Sequence, residues 1–371
     1  MMPPGEALEN GAISGEGRML KRNQRYGSAV YGYTPLQVIH ILGRFMRLWS
    51  VYATYQYLSQ TGVSVIVFMF ICILSSTMIF LVLQKPWKGR PLSTSQVVPS
   101  VINGGITALY FLLWGKGLES CGPVRAVLAE YAGAVLGVLS AFLYGRGGQI
   151  WKKVGGLIAM AASFYFLSQG WTMASYSPFI KESSGEDVSM YEEGKVGLHK
   201  MIAPIIAGVL SALRRVIARR VSLKTQQKRR LHAVTIASAT CFIFPFAIWQ
   251  LTLGPNLEKS EHSTSPTWAY LSTILFGIVL IYYVDSFVED RLHVMASSPK
   301  HLMVTGGCII VFEIVYKMDF SLIGFLICTT ILGLGMFEAT SLERARRDSI
   351  YAVNAAGEEF DDSITMSPLP S

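Results

Sequence analysis

The sequence predicts an all-α membrane protein of ten transmembrane helices, built as a five-plus-five inverted repeat. Three observations predict it: a composition too apolar for a soluble surface, ten apolar runs of helical length, and basic residues that alternate between successive loops. The 371 residues are 51% hydrophobic and 15% charged, whereas an ordinary soluble domain is about 25% charged. Such a chain cannot cover a globular surface with polar groups, which excludes a soluble enzyme. It also excludes disorder, which needs low hydrophobicity and high charge. The net charge of +8 does not call for nucleic acid, because basic excess in a membrane protein first marks cytoplasmic loops.

A membrane helix needs about 20 mainly apolar residues. The runs that qualify are 34–58, 62–84, 96–118, 122–144, 152–170, 198–218, 232–253, 266–288, 299–317 and 320–338. The second, Gly62 to Gln84, holds no charge. The first carries Arg44 and Arg47, and the sixth opens on His199 and Lys200 and ends in Arg214 and Arg215. The apolar runs are continuous rather than alternating, which excludes a β-barrel. In the third run, Pro99 just before Asn103, Gly104 and Gly105 suggests a locally loosened helix.

Orientation follows from the loops. With the amino terminus in the cytoplasm, about 23 Lys and Arg fall on the cytoplasmic side and about 5 on the other. The run from Arg214 to Arg230 dominates that bias and reads as an orientation anchor. Both termini are therefore expected in the cytoplasm. Residues 1–33 read as a disordered cytoplasmic tail without a cleavable signal, and the polar segment 341–371 as a second one. The acidic segment 171–197 is the longest loop on the luminal side and separates a first half, 34–170, from a second, 198–340. An odd number of spans per half puts the halves in opposite orientations, a common transporter plan.

Ionisable groups within the membrane cost about 2.5–3.5 kcal/mol each and need a partner or a wet cavity. His40, Arg44, Arg47 and Thr54 share one face of the first helix by their spacing. Arg125 and Glu130 lie in the fourth run, Asp285 at the cytoplasmic end of the eighth, and Glu313 in the ninth, four residues before Lys317. Together with Asn103, these are the candidate cavity residues. Two arrangements fit. In one, Arg44 and Arg47 face an anionic solute while Glu130 and Glu313, equivalent in the repeat, face each other as gates or proton carriers. In the other, Arg44 or Arg47 pairs with Glu130, and Glu313 pairs with Lys317.

Catalytic and metal signatures are absent. No G-x-x-x-x-G-K-[ST], G-x-S-x-G or H-E-x-x-H occurs, so neither an enzyme nor a cofactor is expected. The five cysteines show no C-x-x-C spacing and read as small buried residues. Glu258 with His262 and Glu289 with His293 have ligand spacing in reverse order but fall in loops or interfacial ends, and no metal site is assigned.

Three short strings carry a resemblance. Gln84-Lys85-Pro86-Trp87 closes the second run, Cys121-Gly122-Pro123-Val124-Arg125 opens the fourth, and Tyr283-Val284-Asp285-Ser286 closes the eighth. In this order and spacing they resemble the amino-terminal membrane module of the long, zinc-transporter-five type transporters of the cation diffusion facilitator family. The resemblance spans most of 34–340. It implies a Golgi or early secretory membrane and zinc handling through a membrane partner, a cation diffusion facilitator zinc transporter. In that family the zinc ligands are His and Asp residues four apart on two helices, with a His-rich loop, and neither pattern occurs in this sequence. The module is in turn similar in architecture to the drug/metabolite transporter superfamily, which implies the alternative: a self-sufficient secondary transporter of a nucleotide-sugar-like or other anionic solute.

Overall fold

The structure, a computed structural model, describes residues 35–88, 92–143, 150–173, 197–221, 225–253, 266–292 and 299–339. The two expected tails, most of the loop 171–197 and the loop 254–265 lie outside the described residues. The chain forms two compact units, 1–42 and 43–371. The first contributes residues 35–42, the opening turns of a helix, with His40 buried. The rest of the description concerns the second unit.

Every regular element among the described residues is helical. Helix α1 is Pro35–Thr61, α2 is Val65–Gln84 and α3 is Thr94–Cys121. Helix α4, Pro123–Ala129, passes through a 3₁₀ segment, Glu130–Ala134, into α5, Val135–Leu143. Helix α6 is Ile150–Ser168, α7 is Leu198–Val221 and α8 is Thr225–Leu253. Helix α9, Pro266–Ser272, passes through a π-helical segment, Thr273–Leu280, into α10, Ile281–Leu292. Helix α11 is Pro299–Val315 and α12 is Leu322–Ala339.

Six of these helical stretches are long and apolar enough to cross a membrane: Val65–Gln84, Thr94–Cys121, Leu198–Val221, Lys228–Thr252, Thr267–Ser286 and Leu322–Ala339. The others fall where spans were expected but are weaker. Helix α11 has only 17 residues, Pro123–Leu143 is interrupted, α1 carries two arginines and α6 carries Lys152 and Lys153. Large apolar side chains point outward along the strong spans, among them Val82, Leu109, Trp249 and Leu334. In water such a surface would aggregate; in lipid it is solvated. These features are those of an integral membrane protein.

Two expectations about local structure change. Helix α3 runs unbroken through Pro99, and Ser100 Oγ donates to the Gln96 carbonyl at 2.8 Å on its buried side. The loosening occurs instead at Glu130–Ala134 and at Thr273–Leu280. Also, α8 begins at Thr225, so Lys228, Arg229 and Arg230 belong to a helix rather than to a loop. Arg230 donates to the Pro86 carbonyl, from Nη2 at 2.5 Å and from Nε at 3.2 Å, which ties this helix start to the turn after α2.

The core is built by small residues that let backbones meet. Helix α3 packs along α7 and α8, α2 along α8, and α6 along α12. Gly208 of α7 lies against the Ala129 carbonyl at the start of the 3₁₀ segment, where an added Cβ would overlap that oxygen. Gly335 of α12 lies against Gly156 of α6, where a Cβ would sit 2.7 Å from the Gly156 carbonyl oxygen. Close approach through small residues is how helices associate where lipid removes the hydrophobic drive. Helix α1 is held differently, by long side chains: Phe45 against Phe312 (4.7 Å between ring centroids), Trp49 against Trp268 (5.5 Å) and Tyr52 against Tyr316 (5.5 Å).

Candidate functional site

Helix α1 carries the polar stripe, and its partners come from three directions. Arg44 Nη2 donates to Asp285 Oδ1 in a close ion pair with α10. Three residues on, Arg47 Nη2 donates to Glu130 Oε1 at 2.5 Å, at the first residue of the 3₁₀ segment. Tyr52 Oη donates to Glu313 Oε1 of α11 at 2.5 Å. Thr54 Oγ1 and Thr273 Oγ1, the latter opening the π-helical segment, share a hydrogen bond at 2.6 Å. Both irregular segments therefore receive a polar side chain from α1. A helix that leaves regular α geometry frees backbone polar groups and re-aims side chains, which in lipid is tolerated where the backbone is buried in protein.

Arg44 and the Arg47–Glu130 pair border a cavity of about 20 Å³ lined also by Tyr131, Arg215 and Thr305, among others. That volume suits about one water molecule. Tyr131 Oη donates to Thr305 Oγ1 at 2.7 Å, which fixes the α11 side of the wall. Arg215 Nη2 donates to Ser211 Oγ at 3.1 Å, one turn earlier on α7. Its neighbour Arg214 sets its guanidinium 4.4 Å from the centre of the Tyr110 ring, and Tyr110 Oη in turn donates to Glu130 Oε1 at 3.4 Å. The centre thus collects Arg44, Arg47, Arg214 and Arg215 around Asp285 and Glu130. Cations outnumber carboxylates, and Arg215 has no ion-pair partner among the described residues.

Set against the expected sites, Arg44, Arg47, Glu130 and Asp285 come together. Arg47 takes Glu130, whereas Arg44 takes Asp285, a partner that sequence spacing did not offer. Glu313 does not pair with Lys317: α11 ends at Val315 and Lys317 adopts a left-handed φ of 51°, so the helical spacing between them does not exist. Nor do the described contacts join Glu130 to Glu313, since each is bound by a different residue of α1. Arg125 lies outside the cavity wall and is buried at the start of α4, where its Nη2 donates to Met173 Sδ at 3.2 Å.

Asn103 also lies elsewhere, in a second cavity of about 60 Å³ with Ser100, Thr235, His232 and Tyr282. Arg214 and Arg215, read as part of an orientation anchor, turn inward because α7 continues to Val221 and leaves them about two turns from its end. Tyr52, Tyr110 and Tyr131 had no sequence signal beyond being polar residues in apolar runs.

The resemblance strings also converge in part. Gln84 Nε2 donates to Tyr283 Oη at 3.4 Å, and Val284 packs over Gly43, where an added Cβ would meet its Cγ1 at 2.8 Å. Ser286 closes the third string within α10. Gly122 takes φ 80°, which a side chain would strain, and Pro123 follows at the first position of α4. Cys121 Sγ donates to the Lys200 carbonyl at 3.3 Å. Cys72, Cys121, Cys308 and Cys328 are buried as expected, while Cys241 is exposed on the outer face of α8. Among the described residues no group of three or more His, Cys, Asp and Glu is placed to hold a metal ion.

No known family model matches the chain. A solved structure described only as "Crystal structure of protein" is similar over 82% of this chain and 98% of its own, at 16% identity and a TM-score of 0.44.

Proposed function

We propose that the chain is a secondary transporter of an anionic organic solute, with ten spans in two inverted halves, both termini cytoplasmic, in a secretory-pathway membrane. The observation that carries this reading is the cavity wall: Arg44, Arg47 and Arg215 line it against the single lining carboxylate of Glu130. Buried cations in lipid are costly and mark solute paths when their charge is not fully balanced. In the proposed cycle, Glu130 and Asp285 hold the arginines while the cavity is collapsed. A phosphate or carboxylate of the solute then displaces them as alternating access opens the site. Arginine suits this exchange because its planar fork binds either carboxylate or phosphate.

Reconstitution of the purified chain in liposomes tests the reading. Uptake of UDP-glucose or another nucleotide sugar, lost in Arg47→Ala, supports it. No uptake of any anion in a panel of nucleotides, sugar phosphates and carboxylates contradicts it.

The small cavity volume favours a second reading, in which the ion pairs are structural and the chain acts in zinc handling through a cation diffusion facilitator partner in the Golgi. Co-purification of such a transporter in gentle detergent, together with inert liposomes, would establish that reading in place of the first.

A further inference from the structure

Glu313 differs from the acids of the centre. Glu130 and Asp285 each face a guanidinium, but the described partner of Glu313 is the neutral hydroxyl of Tyr52. It is 3% exposed, in a helix whose neighbouring buried residues are Cys308, Ile309 and Phe312. The other titratable groups that face it are Tyr316, whose ring lies 5.5 Å from that of Tyr52, and Asp319 beyond the helix end. Neither is a cation. A buried carboxylate without a positive partner pays the full cost of leaving water, and it escapes that cost by taking up a proton.

The position of its partner matters as much. Tyr52 lies five residues after Arg47 on α1, about 7.5 Å along the axis. The helix that holds the anion-facing arginines thus also holds the hydrogen-bond partner of the proton site.

We propose that Glu313 is the proton-carrying group that couples the movement of the anion to a proton gradient, with proton and anion carried in the same direction. This rests on the transport reading above and adds its coupling ion. Opposite charges bound close to one another favour each other, and by linkage the preference is mutual. Loading the arginines with an anion therefore favours the protonated form of Glu313, and proton and anion move together rather than in exchange. In the collapsed centre Glu130 is matched by Arg47, whereas the described partner of Glu313 is not a cation.

Two measurements test this, one with and one without transport. In liposomes, UDP-glucose is followed both as counterflow exchange at equal pH and as net uptake under an imposed gradient. Wild type is expected to show net uptake accelerated at least about threefold when the outside is the more acidic side. Glu313→Gln is expected to keep counterflow within about twofold of wild type and to lose the response to the gradient. Counterflow with no response to pH in wild type overturns the proposal, as does a gradient response that survives in Glu313→Gln or acceleration by the opposite gradient. Absence of counterflow in wild type instead defeats the transport reading.

Proton binding is then read independently by infrared spectroscopy of the purified chain. A protonated-carboxyl band at neutral pH, shifted to higher frequency in Tyr52→Phe, supports the assignment even if Glu313→Gln does not fold. A spectrum with no such band, or with a band unmoved by Tyr52→Phe, overturns it.

Discussion

At the scale of single residues the account turns on how each buried charge is matched. Arg47 and Glu130 are both sheltered, with side-chain exposures of 16% and 9%, while Asp285, which holds Arg44, is 36% exposed. Removing either carboxylate leaves a buried guanidinium without its partner, since Arg44 is only 5% exposed, and costs about 3–5 kcal/mol. Glu130→Gln and Asp285→Asn are therefore both expected to lower the melting temperature in detergent. The double change Arg47→Gln with Glu130→Gln should recover part of the loss. An unchanged melting temperature in either single variant would contradict the assignment of the pairs. Of this chemistry, the sequence offered Glu130 as a partner of either Arg44 or Arg47, because all three are ionisable groups in otherwise apolar runs. Asp285 as the partner of Arg44 was not legible, since 241 residues separate the two and only the packing of α10 beside α1 joins them.

At the scale of elements, the placement of helices was legible because lipid imposes long apolar runs, but their internal irregularities were not. Nothing in Glu130-Tyr131-Ala132-Gly133-Ala134 announces a 3₁₀ segment, and Pro99, which does look like a breaker, sits in a continuous helix. Pro99 is the sixth residue of α3, just past the first turn, so it removes one helical hydrogen bond, to the Ser95 carbonyl, and the helix runs on without it. The 3₁₀ segment instead follows a packing demand, the approach of Gly208 to the Ala129 carbonyl beside Gly133. Gly208→Ala is expected to lower the melting temperature and the yield of monodisperse protein. Gly307→Ala, in open space on α11, should change neither. Equal tolerance of the two substitutions, read by size-exclusion chromatography and thermal unfolding, would contradict the packing described for α7.

At the scale of the whole molecule, six strong spans and an apolar exterior make the chain an integral membrane protein, and the proposed ten-span topology makes a further claim about sides. A glycosylation acceptor inserted near residue 185 is expected to be modified in microsomes, and one near residue 360 is not; the opposite result would invert the topology. Low overall charge and its loop asymmetry made the membrane class and the proposed orientation readable without coordinates. The inward turn of Arg214 and Arg215 was hidden, because a basic cluster at a span end reads as an anchor until the length of α7 is known. Arg215 is also where the central claim is most exposed, since it lines the cavity without an ion-pair partner among the described residues. A charged contact to a solute contributes about 1.5–3 kcal/mol, or about 10- to 100-fold in affinity. The decisive measurement is UDP-glucose uptake by liposomes containing wild type or Arg215→Gln at matched protein content, with the melting temperature of each recorded. The account predicts that Arg215→Gln raises KM at least about tenfold while the melting temperature stays within about 2 °C of wild type, because no ion pair among the described residues is lost. Uptake with an unchanged KM in Arg215→Gln would contradict it.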